Sequence, residues 1–348
     1  MKIDNPTPFE VTAVPLMGPA DRNIMTIIVK ATFAIANGRV ELSPEQEPIA
    51  FGDHFYARGQ GGGILYESDI VPFKPGADIV MSGSAYAPEG RAVEKVDVTL
   101  KVGELEKTLR VFGKRLWNHT GVFSRKYRAT QAQPLLRKPI IYQDAFGGAD
   151  LTTGEFCAHN PSGKGFFSLK TKDQPAGKPL PCIEDPQNPI KTVADHPDPM
   201  GFGFYNRAWL PRAQYAGTYN DDWRKNRRPR YPKDFDFRYY NGAHPDLQLD
   251  SYLRGDEPVE LINLTPNGHL KFNLPGVRPD CRVQRPKTDN NMIQMNLDTL
   301  FLQPDKSIFC MVWRGGIEMA ELSDTGMGTI SIRPFETSHQ PQTIKTRN

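Results

Sequence analysis

An alternation of apolar residues with period two constrains the fold of this chain more than any other feature. Every odd-numbered residue from Met25 to Ile35 is apolar, and the run is followed by Asn37-Gly38 and then by Val40 and Leu42. Residues two apart share one face of a β-strand, and Asn-Gly readily adopts the positive φ angles of a tight hairpin turn. The sequence therefore predicts a β-hairpin at this position.

Three further pairs of apolar runs flank turn residues in the same way. They are residues 96–102 and 105–112 around Gly103-Glu104, 259–264 and 270–274 around Pro266-Asn267-Gly268, and 297–302 and 308–313 around Gln303-Pro304-Asp305. Each pair predicts a hairpin, and residues 329–333 are a candidate last strand. Helical spacing is best met by a single turn at residues 316–322. With 31 prolines and 30 glycines in 348 residues, long helices are excluded.

The predicted strands form two groups, one at each end of the chain. Between them lies a long segment rich in proline, glycine and aromatic residues, which we expect to be ordered because disordered segments are poor in aromatic residues. We predict a mainly β fold, with antiparallel sheets in sandwich-like units and a long irregular middle segment. The expected parts are a β-rich part at 1–145, the irregular segment at 146–250, a second β-rich part at 251–335 and a mobile tail at 336–348.

Charge and targeting signals narrow the class of protein. The formal net charge is +3, from 43 basic and 40 acidic residues, which does not favour a nucleic-acid partner for the chain as a whole. The first residues lack the apolar region of a secretory signal, and no apolar run is long enough to span a membrane. The four cysteines are isolated from one another. We therefore expect a cytoplasmic protein with reduced thiols and no membrane partner.

Two glycine-rich stretches resemble phosphate-binding loops only superficially. Residues 58–63 read RGQGGG, but no helix is predicted after them, as a dinucleotide site requires. Residues 160–165 read NPSGKG and lack the spacing of a P-loop. We interpret both stretches as strand connections or turns, so no cofactor is predicted.

Three pairs of titratable residues are candidates for catalytic or metal-binding groups. Adjacent residues on a strand point to opposite faces, so a sequence neighbour need not be a partner. A structural zinc site needs four ligands, usually in close pairs, and no third catalytic group can be placed. We therefore predict no catalytic residue and no metal ligand. The pairs considered are Asp53 with His54, Asp195 with His196, and Cys157 with His159.

The most basic segment is the best candidate for contact with a partner. It holds five cations between Arg224 and Arg230, but Asp221, Asp222, Asp234 and Asp236 bracket it, which favours a solvated loop or an acidic protein partner over nucleic acid. Arginine and aromatic residues are enriched at the centres of protein interfaces. The predicted partner-binding residues are Trp223, Arg224, Arg227, Arg228, Arg230 and Tyr231. The alternative is an internal role, with Arg228 or Arg230 paired to Asp234 or Asp236.

A series of motifs in fixed order extends along nearly the whole chain. The motifs are VPFKPGAD at 71–78, RVFGKRLW at 110–117, AFGG at 145–148, NPSGKGF at 160–166, LPCIEDP at 180–186, GFGF at 201–204, WLPR at 209–212, AGTYNDDW at 216–223, PKDFDFR at 232–238 and the stretch 298–314. Together they resemble the bacterial family called domain of unknown function twenty-one sixty-nine. The resemblance covers residues 1 to 335.

The resemblance implies a function that the residues alone do not. That family is encoded among type VI secretion genes, beside genes for VgrG spike proteins, PAAR tip proteins and toxins. It implies a cytoplasmic, non-catalytic adaptor or chaperone that helps load a toxic effector onto the VgrG/PAAR spike. Two alternatives remain open: a hydrolase or metalloenzyme whose site is built from distant residues, and a carbohydrate- or peptidoglycan-binding β module. The last would require exposed tryptophans, and we expect most of the four to be buried.

Overall fold

The computed structural model describes residues 2–36, 39–56, 63–121, 126–171, 174–284, 291–320 and 328–334. The predicted Asn37-Gly38 turn, most of the glycine-rich stretch at 58–63 and the tail at 336–348 lie outside these residues. None of the helices that the structure describes has the length and apolar character needed to cross a bilayer.

The strands are numbered along the chain. They are β1 (Lys2–Asp4), β2 (Glu10–Met17), β3 (Asn23–Ala36), β4 (Arg39–Leu42), β5 (His54–Phe55), β6 (Ile64–Tyr66), β7 (Ala77–Met81), β8 (Ser84–Tyr86), β9 (Lys95–Val102), β10 (Leu105–Phe112), β11 (Trp117–His119), β12 (Tyr127–Ala129), β13 (Arg137–Pro139), β14 (Phe146–Gly147), β15 (Lys164–Gly165), β16 (Ile183–Glu184), β17 (Gln248–Leu249), β18 (Pro258–Ile262), β19 (His269–Asn273), β20 (Pro279–Gln284), β21 (Asn291–Ile293), β22 (Asn296–Gln303), β23 (Ile308–Met319) and β24 (Thr329–Pro334).

Helical structure is confined to short pieces. One α-helix, α1, spans Asp221–Asn226 in the described part of the chain. The 3-10 turns are Pro19–Asp21, Pro88–Gly90, Tyr142–Asp144, Arg212–Ala216, Phe237–Tyr240, Pro245–Leu247 and Pro304–Lys306. The prediction of a mainly β fold is confirmed.

Three sheets contain most of the strands. The large sheet has seven strands in the order β17-β7-β22-β23-β3-β2, with β4 also paired to β3. The second sheet has five strands in the order β16-β10-β9-β18-β19, and the third has four in the order β1-β24-β20-β21. Neighbouring strands are antiparallel except β7 with β22 and β1 with β24. Strands from both ends of the sequence thus share each of these sheets.

The predicted hairpins are confirmed. β3 pairs with β4, β9 with β10, β18 with β19, and β22 with β23, all antiparallel. The candidate last strand is β24, which lies between β1 and β20 in the third sheet. The predicted helical turn at 316–322 is wrong in its described part, because Gly316 and Ile317 belong to β23 and pair with Thr26 and Met25 of β3. The long neighbouring strand offers hydrogen-bond partners along its whole length, which outweighs a weak local helical tendency.

The second sheet packs against the large sheet through aromatic rings. Phe272 of β19 stacks on Phe309 of β23 with 5.4 Å between ring centroids, and Phe309 stacks in turn on Phe33 of β3 at 5.3 Å. Residues of both sheets belong to one buried apolar cluster. Three of the four tryptophans are buried, as predicted for most of them: Trp117, Trp209 and Trp313.

The middle segment is irregular and ordered by aromatic packing, as predicted. Tyr142, Tyr205 and Trp209 meet edge to face with centroid distances of 5.4 to 5.5 Å. Phe202 and Phe204 are buried in the same apolar cluster as the sheets. The division into parts at 145, 250 and 335 remains a prediction.

Buried ion pairs attach the middle segment to the connection between β6 and β7. Arg212, only 3% exposed, donates to a carboxylate oxygen of Glu67 at 2.7 Å. Its other nitrogens donate to the carbonyl oxygens of Tyr205 and Tyr239, both at 2.7 Å. Arg207 also contacts Glu67, at 2.6 Å. One guanidinium therefore joins two separate turns of the segment to the chain before β7.

Candidate partner-binding surface

The basic segment begins with a single turn of helix. The Asn220 side chain accepts a hydrogen bond from the backbone N–H of Trp223 at 2.9 Å and so caps α1. Asp221 and Asp222 lie in the first turn, and Arg224 lies in the last turn. This order of charges complements the helix dipole, which explains why the sequence is helical here.

Arg227 attaches this segment to the large sheet. Its Nη2 donates to both carboxylate oxygens of Asp21 at 2.8 and 2.9 Å, and its Nε donates to the carbonyl oxygen of Tyr231 at 2.8 Å. Asp21 lies in the turn between β2 and β3. The guanidinium of Arg227 is therefore engaged within the chain, and its role in partner binding remains a prediction.

The two predicted aromatic residues make internal contacts. Trp223 donates from Nε1 to the carbonyl oxygen of Arg230 at 2.8 Å, and its ring meets Tyr219 with centroids 4.6 Å apart. Tyr231 stacks on Phe235 at 4.3 Å. Its hydroxyl lies 2.9 Å from the hydroxyl of Tyr240. These contacts attach the backbone around the arginines to the neighbouring turns.

Arg224, Arg228 and Arg230 are exposed, and we call them the arginine surface. Arg224 forms an exposed ion pair with Asp221 at 3.0 Å. The side chains of Arg228 and Arg230 make no hydrogen bond or ion pair with any residue that the structure describes. Within the described part of the chain, no carboxylate neutralises their charges.

The alternative pairing of Arg228 or Arg230 with Asp234 or Asp236 is wrong. Asp234 accepts hydrogen bonds from the backbone N–H and the hydroxyl of Thr218, at 3.0 and 2.7 Å, and these bonds lower the pKa of Asp234. Asp236 pairs instead with Arg238, whose hydrogen bond lowers the pKa of Asp236. Both carboxylates therefore bond to other residues of the described chain and not to Arg228 or Arg230.

The candidate catalytic pairs lie in unrelated environments. Asp53 accepts from Arg207 and from the backbone of Ser68, whereas His54 is exposed. Asp195 accepts from Lys191 and Thr192 rather than from His196, whose ring nitrogen lies 2.9 Å from the carbonyl oxygen of Phe167.

The third pair, Cys157 with His159, lies half-buried, and burial raises the pKa of the Cys157 thiol. Within the described ranges, no three His, Cys, Asp or Glu side chains form a group that could hold a metal ion.

Sequence reasoning missed a polar cluster in which the buried Lys107 and His244 meet the exposed Asp246. Lys107 Nζ lies 2.9 Å from Nδ1 of His244 and 2.5 Å from Asp246. The backbone N–H of Asp246 also donates to Nδ1, so the proton sits on Nε2 and is donated to the carbonyl oxygen of Pro199 at 3.0 Å. One sequence signal existed, because Lys107 shares the inward face of β10 with Leu109, and a lysine there needs a partner.

This cluster makes stability depend on pH. Burial lowers the pKa of His244 to about 4, and the Lys107 charge acts in the same direction. Because an unfolded histidine titrates near 6.5, the unfolded chain binds more protons between these values, and stability present above pH 6.5 is lost as the pH falls. The variant His244→Asn keeps an acceptor but cannot titrate. When the pH falls from 6.5 to 5, we expect its free energy of unfolding to drop by roughly 1.5 kcal/mol less than that of wild type. Urea unfolding at each pH measures both curves, and parallel curves would refute the assignment.

The comparisons with known proteins identify a family. A model described as "uncharacterized protein conserved in bacteria (DUF2169)" matches residues 20–314. Searches of the curated proteins and of the solved structures returned no match. The matched range contains the arginine surface and Arg227 with its partner Asp21. It also contains every strand of the large sheet except β2 and the last five residues of β23. Since the match spans most of the chain, this protein belongs to the DUF2169 family of bacterial proteins.

Proposed function

We propose that this protein is a cytoplasmic, non-catalytic adaptor or chaperone that helps load a toxic effector onto the type VI secretion spike of VgrG and PAAR proteins. Membership of a bacterial family supports the bacterial setting. The motif resemblance supports the link to secretion. The arginine surface supports the binding of another protein.

The observation that carries the proposal is the state of Arg228 and Arg230. Both are exposed, and neither has a side-chain partner among the described residues. They lie on a backbone that is held by Trp223 and Arg227, so little conformational entropy is lost when a partner binds. Guanidinium groups recognise carboxylates through paired hydrogen bonds. The partner surface is therefore expected to be acidic.

Charge reversal at Arg228→Glu with Arg230→Glu is expected to abolish partner capture. An interface arginine is worth about 2 kcal/mol or more, so binding should weaken by at least about 30-fold. The measurement is a pull-down with tagged protein from cells that assemble the type VI spike, with VgrG, PAAR and toxin proteins identified by mass spectrometry. Thermal melting of the purified variant is expected to match wild type, because neither side chain makes a hydrogen bond or ion pair with a described residue.

A matched control is available on the rest of the surface. Arg39 and Arg278 are also exposed arginines without a side-chain partner among the described residues. Arg39→Glu with Arg278→Glu gives the same change in net charge and is expected to leave capture intact. Equal capture by both double variants would remove the arginine surface from the proposal. Capture of no spike or toxin protein by wild type would contradict the adaptor function itself.

A further inference from the structure

The strand β2 forms one edge of the large sheet. It pairs with β3 over its whole length, from Glu10 with Lys30 to Met17 with Asn23. No described strand pairs with its other edge. An unpaired edge of eight residues presents a row of backbone donors and acceptors, which is a template for another strand.

The hydrogen bonds around β3 show which of its residues face β2. The backbone of Thr32 bonds to Ser43 and Gln46, which lie on the β4 side of β3. Because β23 occupies the opposite side of β3, β4 and β2 lie on the same side. The N–H of Ile35 points the opposite way, to the carbonyl oxygen of Ser307. Even-numbered residues of β3 therefore direct their backbone groups toward β2.

This alternation determines the outward groups of β2. Even-numbered residues of β3 lie opposite even-numbered residues of β2, so the even-numbered residues of β2 bond to β3 and the odd-numbered ones face outward. The outward residues are Val11, Ala13, Pro15 and Met17. Pro15 agrees with this assignment, since a proline has no N–H to give and is tolerated where the ladder does not need one.

As far as the described ranges of the chain go, the outward edge of β2 is unpaired from Val11 to Met17. The preceding residue, Phe9, cannot pair with an added strand, because its backbone groups already have partners within the chain. Its carbonyl oxygen accepts from the Asn5 side chain, and its N–H donates to the Thr7 hydroxyl. Among the described residues, no backbone group bonds to the outward groups of Val11, Ala13 or Met17. All eight residues of β2 are half-buried, so each keeps part of its surface accessible to solvent.

We propose that the edge of β2 binds β2 of a second copy of this chain, antiparallel and about a two-fold axis. Centred on Val14, this pairing sets Val11 opposite Met17 of the other copy and Ala13 opposite Pro15. Every outward N–H then meets a carbonyl oxygen, and the missing N–H of Pro15 leaves only the carbonyl oxygen of Ala13 without a partner. The result is one continuous sheet across two copies.

The side chains of β2 favour a second copy as the occupant. Glu10 is the only charged residue in the strand and lies at its end, away from the axis, so no like charges face each other. Val11 and Ala13 pack against the apolar core of their own copy. A strand added to this edge must supply apolar side chains on the same face, and β2 has that pattern. This contact does not depend on the arginine surface.

Ala13→Pro tests the pairing by removing one outward N–H. Within the chain that N–H has no described partner, so the melting temperature is expected to stay close to that of wild type. Pro15 already occupies an equivalent outward position in the same strand. Sedimentation velocity over a range of concentrations is expected to show a dimer for wild type and a monomer for Ala13→Pro. A wild-type chain that is monomeric throughout, or an Ala13→Pro chain that still forms the dimer, would overturn the proposal.

Val14→Cys gives a second test that does not rely on disruption. On the axis, Val14 faces Val14 of the second copy in a pair that is not hydrogen-bonded, where Cα atoms lie about 4.5 Å apart and a disulfide can form. Mild oxidation is expected to give a covalent dimer with this variant. Glu10→Cys, far from the axis, is the matched control and is expected to give none, as is wild type with its half-buried Cys157. Absence of the Val14→Cys dimer would also overturn the pairing.

Discussion

Asp78→Ala is expected to lower the free energy of unfolding by about 3–5 kcal/mol, the usual cost of removing one partner from a buried ion pair. Asp78 is completely buried on β7. Its carboxylate accepts from Lys74 at 2.7 Å, from the backbone N–H groups of Gly242 and Ala243, and from the side chain of Asn241. Alanine leaves a buried ammonium and two buried backbone donors without their partner.

Urea unfolding of Asp78→Ala and of Asp97→Ala measures this effect against a matched control. Asp97 also pairs with a cation, Arg110, at 2.7 Å, but its side chain is 45% exposed. An exposed pair is worth about 0–1 kcal/mol, so Asp97→Ala should change little. Equal losses in the two variants would show that burial does not determine the strength of the Asp78 contacts.

Arg212→Ala is expected to cost about 3 kcal/mol and to loosen the middle segment first. The substitution leaves the carbonyl oxygens of Tyr205 and Tyr239 without a donor and removes one of two cations from the buried Glu67. Arg207 still contacts Glu67, which places the cost at the lower end of the usual range. Arg212→Lys is expected to be nearly as damaging, because an ammonium cannot donate to three acceptors in the planar geometry of a guanidinium.

Hydrogen exchange under native conditions locates the change. Protection is expected to fall at residues 205–240 before it falls in the large sheet, because Arg212 joins these turns to the rest of the chain. Arg238→Ala is the control, since Arg238 pairs with Asp236 at an exposed position of the same segment. Uniform loss of protection across the chain would contradict a local anchoring role for Arg212.

Both predictions also bear on the arginine surface. The backbone that carries Arg228 and Arg230 belongs to the segment anchored by Arg212 and by Arg227. If partner capture uses that surface, Arg212→Ala is expected to weaken capture from a distance and to lower stability at the same time. Arg228→Glu with Arg230→Glu weakens it without a change in melting. The combination of the two measurements separates an anchoring residue from a binding residue.

The hairpins could be predicted because their signal is local. Alternation along β9 and β10, with Gly103 at the turn, specifies both strands and their pairing within about twenty residues of sequence. The same logic failed at residues 316–319, where a glycine pair ended the visible alternation but β3 extended the ladder. The order of the sheets was not predictable, since β7 beside β22 joins residues far apart in the chain.

Candidate site residues were harder to assign because charge in a sequence carries no information about burial. Asp234 and Asp236 lie close to Arg228 in sequence, yet Asp234 accepts a hydrogen bond from Thr218 and Asp236 pairs with Arg238. Lys107 and His244 are far apart in sequence and meet only where a strand passes a turn.

The sequence by itself determined the β class, the confirmed hairpins and an irregular middle segment rich in aromatic residues. These are consequences of side-chain alternation and turn chemistry, which act between neighbours in the chain. The tertiary structure alone decided which arginines have a partner among the described residues, and which edge of the large sheet no described strand covers. Those properties depend on contacts between distant segments, and the free energy of a charge is set by the groups and the water that surround it after folding.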